Sequence, residues 1–156
     1  MTVRAVEQWL LEPMHGFVRE AQARLVLVMT PAGQVLAQSG FARALDVMAS
    51  AALGAAIAAS TAELARQLGQ PPFPALSHQG ERHGIFLSRC ATGRGPLVAL
   101  VVYDLDTTSL GLVQLFFEQL AADLAGASPQ VPAPRPVLAA DFERELGDSL
   151  NALFRS

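Results

Sequence analysis

The residues best equipped for chemistry sit in one short stretch, Ser77-His78-Gln79-Gly80-Glu81-Arg82-His83-Gly84. Two imidazoles, a carboxylate and a guanidinium are the side chains of metal sites and acid–base catalysis. Their pattern is H-x-x-E-x-H. The zinc-protease patterns H-E-x-x-H and H-x-x-E-H place their histidines four apart on a helix, so that both rings reach one ion. Here the spacing is one residue too long, and Gly80 and Gly84 oppose a helix. His15 is the remaining histidine, and no cysteine or carboxylate set completes a tetrahedral site. The stretch predicts a polar turn between two strands.

Other chemistries fare no better. Cys90 lies in a strand-like run without a neighbouring base, and no G-x-S-x-G elbow is present. All eleven basic residues are arginine, so no phosphate loop ending in G-K-[ST] can form; Gly93-Arg94-Gly95 reads as a turn. Asp104 and Asp106 end a strand and lead into a helix without a calcium-loop spacing. The residues therefore predict binding rather than catalysis, with no catalytic residue, metal or cofactor assigned.

The elements that position these residues follow from periodicity. Val6, Leu10, Met14, Phe17 and Ala21 recur at helical steps and predict a helix from Val3 to Ala23. Leu25–Thr30 and Gln34–Gln38 flank a Pro-Ala-Gly turn as a hairpin, its first strand buried on both faces. Leu45–Leu68 is the longest predicted helix, stopped by Gly69 and two prolines. Leu53, Ile57, Leu64 and Leu68 form one stripe, predicted to cover the sheet. Ala51, Gly54, Ala55, Ala58 and Ala62 form a small-residue face, predicted to admit a second helix closely. Three strands follow, Phe73–Gln79, Gly84–Arg89 and Pro96–Tyr103, then a helix over Leu110–Leu124 capped by Ser109 or Thr108. Leu112, Leu115, Phe116, Leu120 and Leu124 are predicted to face inward.

Composition changes after this point. Residues 127–137 hold four prolines and read as a stiff linker. In residues 138–156, Phe142, Leu146, Leu150, Leu153 and Phe154 share one helical face opposite Glu143, Arg144, Glu145 and Asp148. So short a helix is marginal alone in water, so this face predicts a docking event, on its own domain or on a partner. The organisation is a domain over 1–126, a linker over 127–137 and a tethered amphipathic helix over 138–156.

With 156 residues, 51% apolar, the chain has enough material for one real core. A net charge of −3 without a basic cluster argues against a nucleic-acid surface. One cysteine precludes an internal disulfide and suits a reducing compartment. The N-terminal residues lack the apolar core of a signal peptide, and the apolar run Ala49–Ala59 is too short to span a bilayer. The expectation is a cytoplasmic protein without direct membrane insertion.

The element order α-β-β-α-β-β-β-α, with these turns, resembles the roadblock (dynein light chain) superfamily over about residues 3 to 126. The stretches carrying the likeness are Thr30–Ala37, Phe73–Gly84, Tyr103-Asp104 with Thr108–Leu115, and the proline-rich tether with Asp148–Phe154. Within the superfamily the chain looks most like MglB-type bacterial GTPase-activating proteins. It departs from them in reading Ala52-Leu53-Gly54-Ala55 where they have Ala-Gly-Asn in the long helix.

The resemblance implies an α/β (α+β) roadblock/profilin-like sandwich: an antiparallel five-stranded sheet with helices on both faces, plus a C-terminal helix. It implies a homodimer whose third strands pair, involving Ser77, His78, Glu81 and Arg82, and whose long helices lie side by side through the small-residue face. It also implies docking of a small Ras-like, MglA-type GTPase whose own arginine and glutamine perform hydrolysis once ordered, in polarity or motility control and with recruitment to a cell pole. Arg43, Arg66 and Arg82 are the arginines that an inserted-finger mechanism would use. A dimeric scaffold without effect on nucleotide turnover is the rival from another class, and a sensor of a small ligand is a third reading.

Overall fold

The computed structural model describes residues 3–40, 47–129, 144 and 147–154. A six-stranded antiparallel sheet has the order β1-β3-β2-β6-β5-β4. Its strands are β1 (Val3–Ala5), β2 (Leu25–Met29), β3 (Val35–Gly40), β4 (Ala75–Gln79), β5 (His83–Thr92) and β6 (Gly95–Asp104). Helices α1 (Leu11–Ala21) and α3 (Leu110–Ala127) cover one face, and α2 (Val47–Gln67) covers the other.

The sixth strand corrects the first prediction. Val3–Ala5 does not begin a helix but pairs with β3, Val3 opposite Ser39 and Ala5 opposite Ala37. Helical structure starts only at a 3-10 turn, Gln8–Leu10, which leaves Val6 exposed while Leu10, Met14, Phe17 and Ala21 are buried. Val6 donates its N–H to the Leu36 carbonyl, so an edge strand satisfies backbone that a longer helix would have left frayed. Pro13 falls in the first turn of α1, where a missing donor costs little.

Strand β2 is central and buried throughout, as its unbroken apolar run predicts. Val26 and Val28 point into the core under α1 and α3, while Leu25, Leu27 and Met29 point towards α2. The α1/α3 core is aromatic: Phe117 meets Phe86 edge-on at 5.2 Å and Phe17 at 6.3 Å between ring centroids. In α3 the buried positions are Val113, Phe117, Leu120 and Leu124. Leu112 and Leu115, expected inward, are exposed, because the stripe is centred one position away from them. Ser109 caps this helix by accepting the Leu112 N–H at 3.3 Å.

Tyr103 is fully buried, with its ring across Gly84 of β5. Its hydroxyl has no hydrogen-bond partner among the described residues. Tyr103→Phe removes a polar group that gained nothing from burial. It should be neutral or stabilising, by up to about 1 kcal/mol, in urea unfolding.

Candidate interaction surface

The polar stretch does form a turn. Gln79 pairs with Gly84 and His78 with Ile85, and the Gly80 N–H donates to the His83 carbonyl at 2.8 Å to close the β4–β5 connection. The two histidines therefore stand on opposite limbs. His83 places Nδ1 2.6 Å from Asp104 Oδ1, and Asp104 also receives Arg24 at 3.1 Å, tying β5, β6 and the approach to β2 at one end of the sheet. With Glu81, Arg82 and Asp106 these groups line a polar cleft of about 540 Å³. Among the described residues no three metal-binding side chains converge.

Cys90 is buried, and desolvation pushes its thiol up to about 11. It is protonated at neutral pH and cannot act as a thiolate nucleophile. Of the arginines considered for insertion into a partner, Arg66 is held by both oxygens of Glu63, at 2.6 and 2.8 Å. That pairing raises the guanidinium's pKa and, with Gln67, lowers that of Glu63. Arg82 is exposed at the β4–β5 turn, and Arg43 lies outside the described residues, as does the predicted start of the long helix at Leu45.

Helix α2 reverses the predicted roles of its two faces. Ala51, Gly54, Ala55 and Ala58 are buried against the chain's own sheet, with Ala62 half-buried beside them. A Cβ at Gly54 would stand 2.9 Å from the Met29 methyl and 3.5 Å from Leu100, so the helix backbone rests almost directly on the strands. The leucine stripe faces out instead: Leu53 is 65% exposed, Leu64 53% and Leu68 63%. The physical reason is that large side chains already project from the sheet (Leu27, Met29, Leu87, Leu100), and only small residues can seat a helix on them at native density. The small-residue positions are thus filled from within, and the leucine stripe forms the outer face of α2.

That outer face continues into a sheet edge. Gly33, in the β2–β3 turn, lies against Ala55 and Ala51, which turns this side of α2 towards β3. The opposite flank, with Leu53, Ile57 and Leu64, is left over β5 and β4, and Ile57 joins the cluster that includes Ile85 and Leu76. Beyond it β4 is an edge strand, and Ser77, His78 and Gln79 are exposed along it. Such an edge offers free backbone donors and acceptors to an incoming strand. An apolar helix flank beside an open strand is an arrangement for binding protein. By length and composition α2 is even apolar enough to cross a membrane, beyond what the run Ala49–Ala59 suggested. These outward leucines were missed because an alanine-rich face resembles a contact surface.

In the C-terminal segment residues 147–154 are helical, and Leu150, Leu153 and Phe154 are exposed, the last two by 78% and 86%. Phe142, Leu146 and most of the linker lie outside the described residues.

Residues 12–102 match the Roadblock/LC7 domain model. No curated protein matches the chain by sequence. Among solved structures the chain is similar to MglB of Myxococcus xanthus (27% identity over 70% of this chain and 86% of that one, TM-score 0.62). It is also similar to the gliding protein mglB of Thermus thermophilus, at 31% identity over 78% and 89% with TM-score 0.66. A third likeness is an MglB with a tetrameric arrangement, at 32% identity over 76% and 87% with TM-score 0.65. On the matched domain, the shared architecture and these likenesses, the chain belongs to the Roadblock/LC7 family, and within it is MglB-like.

Proposed function

We propose that this chain forms a homodimer that binds a small Ras-like GTPase and stimulates GTP hydrolysis by ordering the GTPase's own catalytic residues. The observation that carries this reading is the uncovered apolar flank of α2 running into the open edge of β4, on an MglB-like fold. Pairing of β4 strands across a twofold axis satisfies the edge and brings two α2 flanks together. The outer surfaces of the paired helices then form a platform for one GTPase.

Hydrolysis of GTP depends on placing water and neutralising charge. A partner that binds only the closed switch conformation supplies both indirectly, by shifting the GTPase towards the state that holds its own arginine and glutamine in place. Arg66 is already committed to Glu63, which favours this route over an inserted arginine. The protein acts in the cytoplasm, with recruitment to a cell pole through its GTPase.

Single-turnover hydrolysis by the cognate GTPase, with and without this protein, tests the reading. Acceleration of about 100-fold is expected, below the roughly 1,000-fold or more that an inserted arginine supplies. Binding without acceleration would reduce the protein to a dimeric scaffold. Removing residues 138–156 should weaken GTPase engagement while the dimer persists; loss of folding on that deletion would make the segment part of the core.

A further inference from the structure

On the sheet face opposite α2, α1 and α3 run antiparallel, with Phe17 against Phe117 at one end and Trp9 beside Gly126 and Ala127 at the other. Between them lies an open groove of about 810 Å³. Trp9 and Pro13 line it together with the small residues Gly16, Ala122 and Gly126. A Cβ built on Gly16 or Gly126 would meet nothing within 4 Å, so both glycines face open space that another backbone can enter. Trp9 is fixed there by donating its indole N–H to Glu7, which also pairs with Arg94 at 3.0 Å.

We propose that this groove is the resting seat of the chain's own C-terminal helix, entered by Leu150, Leu153 and Phe154. The route of the chain supports this occupant over others. The last turn of α3 forms part of the groove wall through Gly126 and Ala127. Ser128, the next residue, is buried and pinned, its hydroxyl accepting the Gly93 N–H at 2.7 Å and donating to the Ala125 carbonyl at 3.2 Å. The tether therefore starts at the mouth of the groove. Residues 129–146 can span up to roughly 60 Å when extended, ample reach for the helix to return to the groove.

Size and chemistry agree. The groove runs beside α1 from Gln8 to Arg19, about 17 Å, and an eight-residue helix is about 12 Å long. The helix has an uncovered apolar face, and the groove sets one aromatic side chain among small lining residues, the two halves of helix-in-groove recognition. Of the charged side chains at the rim, Arg19 is opposite in sign to Asp148 on the helix's polar flank. Leu153 and Phe154 stand in solvent in the structure; the seated state is the second position of the same arm. If the arm also engages the GTPase, which rests on the reading above, then the seated state is the idle form and docking in the groove competes with partner engagement.

Trp9 is the chain's one tryptophan and reports on the groove directly. The full chain is compared with Leu153→Asp/Phe154→Asp, which spoils the arm, and with Gly126→Leu, which fills the seat. Both variants sit at exposed positions, and circular dichroism checks that each folds. The arm variant should red-shift Trp9 emission and increase its quenching by acrylamide. Adding a peptide of residues 138–156 to that variant should reverse both changes, and the same peptide should do nothing to Gly126→Leu. Equal emission and quenching in the full chain and the arm variant would overturn the proposal. So would protection that grows with protein concentration, because the occupant would then be another copy. No GTPase is present in this experiment, so its failure and a failure to accelerate hydrolysis are separate results.

Discussion

Gly84→Ala is expected to lower the unfolding free energy by about 3 kcal/mol, and the melting temperature by roughly 10 °C, although it adds one methyl group. The added carbon would stand 2.3 Å from Tyr103 Cζ and 2.4 Å from its hydroxyl oxygen. Neither side can yield cheaply. Gly84 is held between Gln79 of β4 and Tyr103 of β6 in a continuous ladder. Tyr103 is fully buried within the α1/α3 core, so its ring has no free volume to enter. Relief must come from moving the start of β5, which carries β4 with it. Dimerisation through the β4 edge should therefore weaken along with stability. Tyr103→Leu, whose side chain ends short of the clash, should recover part of the loss; a double-mutant cycle should give a coupling of about 2 kcal/mol. A loss below about 1 kcal/mol for Gly84→Ala would show that the ring is not confined.

How much of this was legible in the sequence depended on whether one strand or helix sufficed to decide it. The run Leu25–Met29 needed no context, because five apolar residues between turn signals bury on both faces in almost any sheet. The turn at Gly80–Arg82 was equally local, since histidine spacing and glycine content excluded a metal-binding helix without reference to the rest of the chain. Val3–Ala5 was not local. Its three residues are too few to show alternation, and only the exposed edge of β3 gives them a partner.

The faces of α2 failed for a different reason. Both candidate stripes are apolar, so periodicity located the helix but could not orient it. The deciding fact lies across the sheet, in the bulk of Met29, Leu87 and Leu100, which leave room for Gly54 and not for a leucine. Leu112 and Leu115 show the same limit in α3, where an apolar helix offers more candidate core positions than the sheet can bury. The open strand edge and the uncovered leucines are properties of the assembled surface, legible only once the sheet order is known.

Leu53→Arg combined with Leu64→Arg should leave the subunit folded and abolish its function. Both side chains are more than half exposed, so each substitution alone costs the monomer little, within about 1 kcal/mol. In the proposed dimer the same positions are desolvated twice over, once from each subunit, and every arginine is buried without a designed partner. The dimer dissociation constant should rise by about 100-fold or more, which sedimentation will show as monomer at concentrations where the parent chain is dimeric. Stimulated GTP hydrolysis should fall to the unstimulated rate, since the platform needs both helices. Ala58→Arg supplies the contrast. Ala58 faces Leu27, Leu87 and Leu100 from inside, so an arginine there must enter the core and should prevent folding, at a cost above about 4 kcal/mol. The two outcomes together separate an outward interface from an inward packing face on one helix. If the outward pair remains dimeric and active while Ala58→Arg unfolds, the second subunit and the GTPase engage some other surface, and the assignment of the α2 flank is wrong.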